Sequence, residues 1–336
     1  MKRTWRIAGF QLLTAAVLLA VLWVVVDGRA AFQRLADAQP QWLFACWLAL
    51  NLQTILSAMR WRITAAALGM QISRPTAIRE YYVAHVVNQL LPGGVVGDVG
   101  RAVRARPLDE RPGAALARSG EAVFFERFAG QVVLGSVMAA GFVFTFAMPG
   151  GLDAPEEGAV SVLIVAVVAI VLIGLLRIAV HRRVTFARRI SQSARQVFVA
   201  AGIWKHQLLL GIAIAACNIA GFAFAALATG TALGFEASVT IVPLILFSMV
   251  IPLTISGWGF REGAAAALFP LVGASADAGL AASVAFGVMM LASSLPGALW
   301  LWPNANVRGF LASRETGELP PATGALQSIK TGKSTQ

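Results

Sequence analysis

The sequence predicts an all-α, polytopic membrane protein, and three observations carry that prediction. Hydrophobic residues make up 58% of the 336 positions and charged residues only 13%, with a mean hydropathy of +0.73, a composition that excludes a soluble domain of this length. The apolar residues gather in stretches of about twenty, the length a helix needs to cross the hydrocarbon core. The net charge of +11 sits in loops flanking those stretches, as the positive-inside rule requires, so it does not point to nucleic acid.

Taken in order, residues 7–26 are preceded by Lys2, Arg3 and Arg6 and followed by Asp27-Gly28-Arg29. No small-residue cleavage site follows, so the segment reads as an uncleaved first span. A second span, 42–59, lies between Trp42 and the basic run Arg60-Trp61-Arg62, which places its far end in the cytoplasm. Further spans are predicted at 128–148, 160–176, 208–230 and 279–302. The stretch after Met148 carries Asp153, Glu156 and Glu157 without a base, and the one between 177 and 205 carries Arg177, Arg182, Arg183, Arg188, Arg189, Arg195 and Lys205. The first is therefore expected outside and the second inside. Within the second, Val184, Ala187, Ile190, Ala194 and Val197 recur at helical spacing, which predicts an amphipathic helix on the anionic cytoplasmic leaflet or a docking surface for a partner enzyme. The tail beyond Pro303 mixes Arg308, Arg314, Lys330 and Lys333 with Pro, Gly, Ser and Thr, a composition expected to be disordered and cytoplasmic. The reading is a transmembrane domain over 1–305 and a tail over 306–336, in the cell (inner) membrane, with both termini cytoplasmic.

Two sites interrupt this pattern in the same way. Asn88-Gln-Leu-Leu-Pro92-Gly-Gly-Val-Val-Gly-Asp98-Val-Gly-Arg101 and Ile251-Pro-Leu-Thr-Ile-Ser-Gly-Trp258-Gly-Phe-Arg261-Glu262-Gly263 each run from an apolar stretch through proline and small residues into charge. A charge at the bilayer centre costs roughly 3 kcal/mol on insertion scales, and irregular backbone is tolerated there only inside protein or around a wet cavity. Parity constrains the geometry. The region 62–127 must begin and end inside, and 231–278 must begin and end outside, so each makes either a re-entrant hairpin or two crossings. The half-segments 81–91 and 264–272 are shorter than the seventeen or so residues of a crossing, which favours two hairpins entering from opposite faces. Such a pair resembles the inverted repeats of secondary transporters, whose broken helices meet near the midplane.

The polar residues of the breaks are the candidate site: Asn88, Pro92, Asp98, Arg101, Glu126, Arg127, Trp258, Arg261 and Glu262. Each has a structural alternative. The Gly-Pro stretches serve equally as plain loops, and they match neither a P-loop nor a dinucleotide fingerprint. Asp98 and Arg101 either pair with one another, or Arg101 grips a lipid phosphate while Asp98 orients it. Arg261 and Glu262 are adjacent and diverge on a helix, so each is expected to find its partner elsewhere. Glu126 and Arg127 stand at the start of the third span as interfacial anchors or cargo ligands. His85 and Asn88 fall on one helical face, where His85 is either a satisfied structural residue or part of a polar groove. Trp5, Trp42, Trp61, Trp204, Trp300 and Trp302 read as an aromatic belt at span ends; Trp258 differs because it sits in a break. Cys46 and Cys217 lie in apolar segments, and His85, His181 and His206 make no ligand spacing with them. No metal, cofactor or catalytic constellation is expected.

The ordered motifs Arg60-Trp61, Asn88, Leu91-Pro92-Gly93, Gly97-Asp98, Arg101, Glu126-Arg127 and Gly257-Trp-Gly-Phe-Arg-Glu-Gly263 resemble the lysylphosphatidylglycerol synthase transmembrane region family, over roughly residues 5 to 305. The resemblance implies an eight-helix-like, flippase-like domain that moves a phospholipid or polyprenyl-linked lipid between leaflets. Founding members continue into a soluble synthase domain; here a short polar tail follows Trp302, so aminoacyl transfer is not expected. The function read from the sequence is headgroup translocation through a polar groove between two broken hairpins. The competing role is a non-transporting scaffold for a lipid-modifying or glycosyl-transferring enzyme. A reporter fused after Glu157 should report an extracytoplasmic position and one after Arg195 a cytoplasmic one; Arg195 outside would overturn the assignment.

Overall fold

A computed structural model describes residues 2–91, 94–147, 193–197, 203–250 and 254–301. The predicted span at 160–176, the acidic loop at 153–157, Pro92, Trp302 and the tail 306–336 lie outside the described residues. The described elements are all helical: α1 Lys2–Val25, α2 Gly28–Ala36, α3 Pro40–Ala67, α4 Arg74–Leu90, α5 Val96–Arg104, α6 Pro112–Ala147, α7 Ile203–Ala228, α8 Phe235–Phe247, α9 Phe260–Leu268 and α10 Ala276–Leu301. The α3, α6, α7 and α10 helices are long and apolar enough to cross a membrane, and α1 with α2 makes a fifth candidate bent by 99°. Asp27 explains that bend. Its carboxylate accepts the Arg29 and Ala30 amides at 3.1 Å each, which ends one helix and caps the next.

The helices run between two ends. α3 and α7 are antiparallel neighbours, tied by the Gln39 amide to the Ala228 carbonyl at 2.9 Å and by Gln207 to Thr64 at 2.8 Å. Arg62, Arg74, Arg104, Arg111 and Lys205 gather toward the Thr64 end, which is the basic end. At the far end, Arg34 of α2 meets Asp277 at the start of α10 at 2.7 Å. The beginning of α1 and the end of α10 therefore lie on the same, basic side.

Both interruptions are re-entrant hairpins. α4 leaves the basic end, where Arg62 donates to the Ile72 carbonyl at 3.0 Å, and rises until His85 lies 3.4 Å from Thr54, halfway along α3. The chain then turns and α5 descends beside α4 to the Glu80–Arg104 ion pair. The arms touch backbone to backbone, because a Cβ at Gly97 would overlap the Ala84 carbonyl. The second hairpin comes from the far end. α8 runs down past Gly141 to Phe247 beside Gly135, short 3-10 turns Ser248–Val250 and Ile255–Gly257 form the tip, and α9 returns along α10. Gly259 caps α9 with φ +91°, a left-handed backbone that a side chain would strain.

Each half is thus a span, a hairpin and a span: α3, α4–α5, α6 and α7, α8–α9, α10. One hairpin enters from each end, so the halves are related by inverted topology, as the parity of the sequence predicts. α10 is the common wall. Gly297 lets the Tyr82 carbonyl of α4 approach it, and Gly279 does the same for Ala265 of α9.

Two expectations are corrected. The run Arg60-Trp61-Arg62 does not end its span: α3 continues to Ala67, and Arg60 and Trp61 are buried at 3% and 0% exposure. Trp61 is consequently no belt residue; covered by α5 and α6, it has no interface to reach. Similarly α6 begins at Pro112, sixteen residues before the predicted start of its span, which puts Glu126 and Arg127 inside the helix rather than at an interface. Part of the basic amphipathic segment is also described. The turn at 193–197 rests on the bundle, with Val197 fully buried and Ser193 donating to Glu121 at 2.8 Å, so this stretch lies on protein rather than on the leaflet.

Close backbone approach gives a direct test. Gly97→Leu and Gly297→Leu should abolish recovery of monodisperse protein, whereas Gly113→Ala, with open space around it, should leave the melting temperature within a degree or two. Size-exclusion profiles and thermal melts in detergent measure both.

Candidate functional site

The first hairpin carries its charges into the bundle on α5, whose polar face turns toward α3 and α6. Arg101 is fully buried. Its guanidinium donates to Asp98 at 2.8 Å and to Glu126 at 3.3 Å and lies over the rings of Trp61 at 4.6 Å and Tyr81 at 4.4 Å. Glu126, also fully buried, accepts from Arg60 at 2.8 Å and from the Tyr81 hydroxyl at 3.3 Å. Asp98 closes the network. Arg127 donates to it from two nitrogens, Nε at 3.1 Å and Nη2 at 2.9 Å, and Asn88 donates from its amide at 3.2 Å while accepting the Gly97 amide at 2.7 Å.

The charges do not balance. Arg60, Arg101 and Arg127 face Asp98 and Glu126, an excess of one positive charge. Buried charges are tolerated only when paired and hydrogen-bonded, yet Nε and Nη1 of both Arg60 and Arg101 are buried without a hydrogen-bond partner. The cluster therefore keeps four buried N–H-bearing nitrogens without a hydrogen-bond acceptor. Arg127 marks its open edge, with 48% of its side chain exposed.

The second cluster, on α9 and α10, is neutral and closed. Glu262 Oε2 accepts the Gly259 amide at 2.7 Å, and Oε1 accepts from Ser283 at 3.1 Å and from both Nε and Nη2 of Arg261. Arg261 and Glu262 therefore pair with each other, contrary to the expectation from helical divergence. The reason is their place in the first turn of α9: Glu262 folds back to cap the helix, and the long Arg261 side chain curls around to reach it. Arg261 also lies 5.1 Å above the ring of Trp258 and 5.5 Å from that of Phe286.

Between the clusters the hairpin tips touch. Ser256 donates its hydroxyl to the side-chain Oε1 of Gln89, Gln89 Nε2 meets His85 at 3.3 Å, and His85 meets Thr54. His85 thus faces α3 and the tip, while Asn88 faces α5; the two do not line one groove. Ser256 has φ +52°, alone among the described non-glycine residues in having a positive φ.

Of the sequence candidates, Asn88, Asp98, Arg101, Glu126 and Arg127 converge in one network, Trp258, Arg261 and Glu262 in another, and Pro92 lies outside the described residues. The network adds Tyr81, which sequence reasoning passed over as an ordinary helix residue, and Arg60 and Trp61, which it placed at an interface. Their common signal was a polar group in an apolar run, with no indication of its partner.

The family profile described as the lysylphosphatidylglycerol synthase TM region matches residues 11–297, an interval that holds both hairpins and both clusters. The chain belongs to that family. It is therefore a multi-pass membrane protein of a family tied to lipid biosynthesis or transport. No curated protein and no solved structure matches it. For this member of the lysylphosphatidylglycerol synthase TM-region family, the burial of the network sets a stability expectation. Glu126→Gln removes the carboxylate from Arg60 and Arg101 and should cost about 3–5 kcal/mol, the range for breaking a buried pair. Arg127→Gln, at the half-exposed edge, should cost about 1 kcal/mol or less. Chemical denaturation of the two variants in detergent ranks them.

Proposed function

We propose that the protein translocates an anionic lipid or lipid-linked headgroup between leaflets, through the polar path formed by its two opposed hairpins. The observation that carries this reading is the positive excess around Arg60 and Arg101, with four buried guanidinium nitrogens left without partners. A phosphate matches such donors, since guanidinium forks bind its oxygens bidentately. Acyl chains would stay along the apolar outer faces while the head moves past the tips. The closed Arg261–Glu262 cluster would hold the second hairpin in shape without competing for the anion. The protein would carry out no bond chemistry. Its setting is the cell membrane, with the basic end cytoplasmic by the positive-inside rule, which places the start of α1 and the end of α10 in the cytoplasm.

Purified protein in liposomes containing a fluorescent phosphatidylglycerol or a polyprenyl phosphate should accelerate its crossing without nucleotide. Arg101→Lys keeps the charge but loses the planar fork over Trp61 and Tyr81, and Asp98→Asn releases Arg127. Both should slow crossing per folded protein by about tenfold or more, as expected for one charge-assisted hydrogen bond, in variants that lose stability with the buried network but still give monodisperse protein. No acceleration across such a panel, together with co-purification of a lipid-modifying transferase, would replace translocation with a scaffold role.

A further inference from the structure

The open end of the first hairpin holds a second set of cations that the buried network does not use. Where α4, α5 and the last turns of α10 meet, a cleft of about 570 Å³ is lined by Ser73, Thr76, Arg79, Glu80, Arg104 and Trp300, among others. Glu80, only 5% exposed, is shared by two guanidiniums: Arg104 Nε donates to one oxygen and Arg79 Nη2 to the other, at 3.1 Å. Two cations face one carboxylate. Arg104 also keeps a buried Nη2 without a partner, and 46% of the Arg79 side chain is exposed.

The surroundings identify the ligand. Trp300 forms the α10 wall of the cleft and packs against Tyr82 with ring centroids 5.9 Å apart, and the same last turns of α10 carry exposed leucines, Leu299 at 75% and Leu295 at 56%. A phosphate held by Arg79 and Arg104 would leave acyl chains along α10. The cleft is also one helical turn from the buried network. Arg104 follows Arg101 by three residues on α5, and Glu80 adjoins Tyr81, whose ring lies against Arg101.

We infer that this cleft is a docking site for the phosphate of an anionic membrane lipid at the basic face, in which the phosphate displaces Glu80 from Arg104. The site deepens the translocation reading and rests on it for its role as the first stop of the headgroup, but its binding chemistry stands independently of movement. Glu80 is a competitor: it neutralises Arg104 until an anion arrives.

The competition yields an opposite-sign test. Protein purified in detergent is titrated calorimetrically with dihexanoyl phosphatidylglycerol, dihexanoyl phosphatidylcholine and glycerol phosphate, each below any micellar concentration. Arg104→Gln should weaken phosphatidylglycerol binding by about tenfold, as for one charge-assisted hydrogen bond, and Glu80→Gln should tighten it severalfold. Arg104→Lys should fall between wild type and Arg104→Gln, and it carries the test with Glu80→Gln if the Gln variant does not fold. Weakening by both Arg104→Gln and Glu80→Gln, or no change in either, makes the pair purely structural and overturns the proposal. Equal binding of phosphatidylcholine overturns the anion selectivity, and equal binding of glycerol phosphate assigns the cleft to a soluble phosphoester and overturns the lipid. The liposome assay separates the two readings. Opposite-sign binding with no lipid crossing leaves the site standing and removes translocation, and crossing with unaltered binding does the reverse.

Discussion

Everything in this protein depends on where a backbone that stops being helical halfway through a membrane finds its polar partners. Bilayer hydrocarbon offers none, so each interrupted segment must turn back and be sheathed by full-length helices. α3, α6, α7 and α10 provide that sheath. Glycines at 97, 279 and 297 bring hairpin backbone against neighbouring backbone at distances no larger residue permits. The hairpins are inserts in a helical wall, and the wall dictates their depth.

The same constraint explains the charges. A guanidinium at mid-depth is stable only as part of a network, and the two hairpins build different ones. The Arg261–Glu262 pair is neutral, locally closed and fastened to the first turn of its own helix. The Arg101 network draws on α3, α4, α5 and α6, stacks its central cation over two aromatic rings, and still retains a positive excess and unused donors. A fold related by inverted topology thus has chemically unequal halves. The tips meet through Gln89 and the strained Ser256.

Much of the architecture was legible from residue order. The apolar runs locate α3, α7 and α10 to within several residues, and parity together with the short half-segments 81–91 and 264–272 favours two opposed hairpins. Boundaries were least legible where charge entered a helix. Arg60 reads as a span end, and Glu126 as an interfacial anchor or a cargo ligand, because a charge in an apolar run marks an end or a site, whereas α3 and α6 carry both inward as partners of one another. The two residues are 66 positions apart and 2.8 Å from contact to contact, a relation no local pattern encodes. The Arg261–Glu262 pairing failed for the opposite reason: helical geometry separates adjacent side chains, but a long arginine in a first turn bends around that rule.

Sequence by itself determined that this chain is a helical membrane protein with two polar interruptions of opposite orientation, because hydrophobic length, charge asymmetry and parity are one-dimensional properties. Tertiary structure alone decided which charges neutralise one another and where a positive excess is left. Ion pairing depends on the distance and burial of side chains brought together by helices far apart in the chain, and the balance of three cations against two anions around Arg101 exists only once α3, α5 and α6 have packed.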